Sequence, residues 1–109
     1  MEISKELLSE VLGEKVNCCG FVNKNILKVK FNKGHSYNIN IHELAHKCKE
    51  WVIKEGYIIH EMPYCVHLIQ VENEIEKTFR YEKEDMQNKK PYLPKYTFKA
   101  CEWILNNKG

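Results

Sequence analysis

The sequence predicts an α+β fold, an antiparallel sheet of about five short strands covered by three helices in the order α-ββ-α-βββ-α, within one domain spanning residues 1–109. Three observations carry that expectation. Leu27, Val29 and Phe31 alternate with Lys28 and Lys30, the period of a strand with one buried face. Ile41, Leu44, Ala45, Cys48, Trp51 and Val52 recur at helical spacing. Gly, Asn and Pro then punctuate the chain where each periodic stretch ends.

The first helix is expected in "ISKELLSEVLGE". Ser4 is suited to the N-cap, Ile3 to a hydrophobic staple on Leu8, and Gly13 to the C-terminal stop. Leu7, Leu8, Val11 and Leu12 form its apolar stripe. A hairpin follows, with "VNCCGFV" and "ILKVKF" on either side of "NKN". "NKGH" is a turn, and "SYNINI" resumes the alternation through Tyr37, Ile39 and Ile41 into the second helix, which stops at Gly56. "YIIHE", "CVHLIQVE" and "EKTFRYE" read as three further strands, and the polar "KEDMQNKKP" as a loop. Pro94 suits the first turn of a last helix, "KYTFKACEWILNN", burying Phe98, Cys101, Ile104 and Leu105.

Composition narrows the function classes. At 43% hydrophobic and 29% charged, the chain belongs with globular proteins rather than disordered ones. It contains no apolar run long enough to cross a bilayer and no signal-peptide pattern at its start, so a cytoplasmic location and no membrane partner are expected. The net charge is only +2 and Arg80 is the sole arginine, which disfavours sequence-specific DNA binding. Weak nucleic-acid association through lysines stays open as one reading. Cys18, Cys19, Cys48, Cys65 and Cys101 have no framework spacing and no CxxC, so reduced thiols are expected.

One string asks for a chemical reading. His42-Glu43-Leu44-Ala45-His46 spells HExxH, in which a helix carries two zinc ligands and a catalytic glutamate. Two histidines one turn apart can chelate a metal, and a zinc-dependent hydrolase using His42, His46 and Glu43 is the alternative function. Local context favours another explanation. Asn40 is a strong N-cap and Glu43 stands three residues on, the pattern of a capping box, with Ile39 and Leu44 placed as its staple. Lys49 and Val52 occupy positions where an extended metzincin motif needs Gly and His. His60 or Glu61 is then the available third ligand. Neither metal nor cofactor is expected.

Other constellations fail on spacing. "HEMPYCVH" has the residue types of a zinc deaminase but not its P-C-x-x-C order. His67 shares a strand face with Cys65 and Ile69 and reads as a core or edge histidine. Asp85 is the only aspartate, and no nucleophile elbow, GxGxxG or P-loop occurs, so no catalytic residue is assigned. The positive signal is aromatic. On the last helix Trp103 falls away from the Cys101–Leu105 stripe and on the side of Tyr96, with Tyr92 near in sequence. Partly exposed rings among lysines suit a binding surface, so Tyr96 and Trp103 are the expected binding residues.

Phe98, Ala100, Cys101 and Trp103 in "TFKACEWILNNKG", with "ELAHKCKEW" as a second stretch, resemble the small phage-encoded accessory proteins of helix–sheet–helix sandwich build. The resemblance covers about a quarter of the chain and brings no catalytic residues. It implies a phage or prophage accessory protein, and for genes of that size an inhibitor or ligand sponge directed at a host defence system. The partner on that reading is a host protein or a small nucleotide-like ligand. A homodimer through the aromatic patch is also compatible.

Overall fold

The fold was taken from a computed structural model, which describes residues 3–87 and 93–107. Its elements are α1 (Lys5–Leu12), β1 (Val16–Asn23), β2 (Ile26–Phe31), β3 (Ser36–Asn40), α2 (Ile41–Lys54), β4 (Tyr57–Glu61), β5 (Cys65–Gln70), β6 (Ile75–Arg80), α3 (Lys83–Gln87) and α4 (Leu93–Asn106). The α+β class and the antiparallel pairing are as expected. The count is not, since there are two separate three-stranded sheets, β1-β2-β3 and β4-β5-β6. "SYNIN" pairs fully with β2, from Ile26↔Asn40 to Lys30↔Ser36, and so adds a third strand before the second helix. "KEDMQ" is a short helix rather than a loop. Tyr92 lies outside the described residues.

Local chemistry accounts for the element ends. Ser4 caps α1 by accepting from the Leu7 N–H at 3.1 Å. The reciprocal half of the cap comes from the far end of the chain. Glu102 of α4 accepts from the Ser4 N–H at 2.8 Å and from its hydroxyl at 3.0 Å. The capping-box position three residues after Ser4 is Leu7, so Glu102 takes the role that a local glutamate would have, and it joins Glu6 at α1's positive end. Gly13 ends the helix at φ 73°, a left-handed conformation that costs glycine nothing.

Asn40 caps α2, accepting from the His42 N–H at 2.8 Å. The other half of the expected capping box is not made. Glu43 instead accepts from the Tyr37 hydroxyl across to β3 at 3.4 Å. Ile39 and Leu44, the staple pair, are both fully buried in the core. β2 behaves as its alternation predicts, with Leu27, Val29 and Phe31 buried and Lys28 and Lys30 exposed.

One core runs under both sheets. Leu27, Val29 and Ile39 from the first sheet and Leu68 from the second pack with Leu7, Leu8, Leu44, Val52, Phe98 and Ile104 from the helices. The molecule measures 39 × 35 × 18 Å, and the thin dimension matches one layer of helix on one of strand. Cys48 and Cys101 are buried where α2 meets α4, and the Cys101 Sγ lies 3.9 Å from the Cys48 carbonyl oxygen. Hydrogen bonding to the Cys48 side chain, and burial, hold the Cys101 thiol far above the ordinary range, so it stays neutral and unreactive. All five cysteines are free thiols, and no helix among the described residues is long and apolar enough to cross a membrane.

Candidate functional site

Tyr96 and Trp103 fall on one side of α4, but different neighbours meet them. Trp103 is partly exposed and sets its ring edge-on to Tyr57, with centroids 6.3 Å apart. The Tyr96 side chain is completely buried, which corrects the expectation of an exposed ring. The reason is α3 and the strand exit before it. Tyr81 lays its ring on Tyr96 with centroids 4.6 Å apart, and the Tyr96 hydroxyl donates to Asp85 while accepting from the Glu82 N–H at 2.7 Å. Where "KEDMQ" folds back, the helix face is covered; one to two turns further on, at Trp103, it is open.

That covered end is a polar clamp. Lys95 bridges Glu82 at 3.1 Å and Asp85 at 3.3 Å, and Lys99 reaches Glu82 at 3.2 Å. The bond from Tyr96, more than the neighbouring lysines, holds the Asp85 carboxyl below its ordinary range. Hydrogen bonds from Lys95 and Lys99 lower Glu82 in the same way. Burial first, and then the bond to Asp85, pushes the Tyr96 hydroxyl up. Each shift favours the protonation states present at neutral pH, in which these ion pairs and hydrogen bonds fasten Glu82 and Asp85 to α4.

The open end is a groove of about 1040 Å³. Its floor is the α4 stripe Lys95, Lys99, Glu102, Trp103 and Asn106, residues one helical turn apart. Cys19, Gly20 and Phe21 of β1 and Phe79 of β6 also line it, with Ile3 and Leu27 beneath. Phe21 is 40% exposed here, on the same sheet face as its buried partner Leu27. The groove therefore uses Trp103 from the sequence expectation and adds Phe21 and Phe79, which that expectation missed. For Phe21 the available signal was "VNCCGFVN", a strand with no charge on either face, whereas Phe79 stands in the charged strand "IEKTFR" and had none.

The HExxH residues lie elsewhere. His42, His46 and Lys49 of α2 share a shallow depression with Glu61, Pro94 and Thr97. Glu61 is thus brought to the histidine side of the helix, as a third ligand would be, but Glu61, His46 and Glu43 each have another partner. Glu61 pairs with Lys49, His46 lies 3.1 Å from Glu50, and Glu43 is turned to Tyr37. Among the described residues, no group of three or more His, Cys, Asp or Glu side chains is gathered closely enough to hold a metal ion. His60 is exposed on β4 and His67 lies 3.9 Å from Glu76.

The groove, then, offers apolar and aromatic surface with lysines at one end, and its lining holds no paired acid and base. No family model matches this sequence, and no curated protein and no solved structure matches it either.

Proposed function

We propose that this chain is a non-catalytic binding protein whose partner seats an apolar segment in the groove along α4, against Phe21, Phe79 and Trp103. The observation that carries the reading is the groove itself. It has about 1040 Å³ of space, open to solvent and walled largely by apolar side chains that the folded chain leaves partly uncovered. Aromatic anchors in such a depression are what interfaces use as their energetic centre. A protein that binds without turnover acts by occupying its partner, and a role as inhibitor or sequestering factor fits that mode. A partner protein suits a long open groove better than a small nucleotide-like ligand, whose phosphates would meet lysines already paired to Glu82 and Asp85.

The test uses 1-anilinonaphthalene-8-sulfonate, an apolar aromatic dye that brightens in apolar surroundings. The folded protein should bind it, and Trp103→Ala or Phe21→Glu should remove most of the enhancement. Ile53→Ala, at an exposed residue of α2 outside the groove, should not. Dye binding indifferent to the groove variants, with folding verified by circular dichroism, contradicts the proposal.

A further inference from the structure

β1 is an end strand, paired only with β2, and among the described residues no strand pairs with its outer side. Natural sheets usually guard such edges with charge, proline or very short strands. β1 has eight residues and neither charge nor proline, and register shifts at its two ends leave regular pairing from Cys18↔Lys30 to Phe21↔Leu27. At the start of the strand the Val16 N–H donates to the Ser9 hydroxyl at 2.9 Å. Further along, at Cys19 to Phe21, this uncharged strand is one wall of the α4 groove.

The two faces of the edge differ in chemistry. Cys19 and Phe21 lie on the face of Val29 and Leu27, toward the groove and the core. Cys18 and Gly20 lie on the other face, opposite Lys30 and Lys28. Those two lysines are the only charges in the three strands of this sheet, and neither has an acidic partner among the described residues. Gly20 does not have a positive φ, and a Cβ built there meets nothing within 4 Å. Its backbone therefore does not require glycine, and the missing side chain leaves the Lys28 flank open toward the edge.

We propose that the outer edge of β1 accepts one extended strand of a partner protein, with alternate apolar side chains facing into the α4 groove and acidic side chains on the other face, reaching across Cys18 and Gly20 toward Lys30 and Lys28. The inference rests on the groove reading above and names its occupant. Main-chain hydrogen bonds to the open edge supply affinity, and the two faces supply selection. β6 also lines the groove, through Phe79, which favours a single strand over the whole sheet that a second copy would bring.

Two capped eight-residue peptides serve as probes, one alternating valine with glutamate and the other valine with lysine. The acidic peptide should bind roughly tenfold or more tightly than the basic one. A Lys28→Glu, Lys30→Glu double variant should reverse the order. Bound acidic peptide should also slow amide hydrogen exchange at Cys18 to Val22 and displace the naphthalene dye. Dye binding without peptide binding, or peptide binding that leaves these amides unprotected, overturns strand addition while the groove reading stands. Equal binding of the two peptides overturns the acidic preference. A folded protein that binds neither dye nor peptide overturns both readings.

Discussion

Tyr96→Phe isolates the clamp that decides which part of α4 is covered. The substitution keeps the ring, and with it the packing on Tyr81, and removes only the hydroxyl. Two hydrogen bonds go: one donated to the Asp85 carboxylate and one accepted from the Glu82 N–H at 2.7 Å. A bond to a charged group contributes about 1.5–3 kcal/mol and a neutral one about 1 kcal/mol. Both are only partly buried, and Asp85 retains Lys95 at 3.3 Å, so water and the lysine recover part of the loss. The expected destabilisation is about 1–3 kcal/mol, measured by urea unfolding at neutral pH. Asp85→Asn should be non-additive with it, by roughly 1 kcal/mol in a double-mutant cycle. The pH dependence has a definite sign. Asp85 is depressed in the folded state, so its contribution is complete above the ordinary value of 3.8 and is lost as pH falls through the lower folded value. The gap between the parent and Tyr96→Phe should therefore narrow in acid. A loss below about 0.5 kcal/mol, or strict additivity with Asp85→Asn, would refute the clamp.

Three further outcomes follow from the geometry. Gly20→Ala should raise stability by about 0.5–1 kcal/mol in the same assay, because nothing in the folded backbone exploits the freedom that glycine retains when unfolded. Asn40→Ala should cost about 1 kcal/mol through loss of the α2 cap, whereas Glu43→Gln, whose contact with Tyr37 is long and exposed, should stay within about 0.5 kcal/mol. Untagged protein purified without chelator should hold far less than one zinc per chain by elemental analysis. Stoichiometric zinc, lost in His46→Ala but kept in Glu43→Gln, would restore the hydrolase reading.

What the sequence made legible was local. Ser4, Gly13, Asn40 and the alternation of β2 each specify their own element through spacing or backbone chemistry within a few residues. The failures were long-range. α4 brings Glu102 to the Ser4 cap from 98 residues away, a contact that no spacing within either helix announces. Tyr96 and Trp103 look equivalent on a helical projection, and only the return of residues 81–87 buries one and leaves the other open. The division into two sheets was also hidden. Pairing is a choice among distant segments, and alternation shows that a strand exists without showing its neighbours. Of the three aromatic residues at the groove, Trp103 alone was named from the sequence. The other two, Phe21 and Phe79, came from strands to which the sequence reading assigned no binding role.

The central claim is that the α4 groove is the binding surface, and amide shift mapping by NMR with the naphthalene dye tests it most directly. The account predicts that perturbed amides concentrate in residues 19–21, around Phe79 and along residues 95–106. Shifts centred on His42, His46 and Glu61, or scattered without a focus, would contradict it.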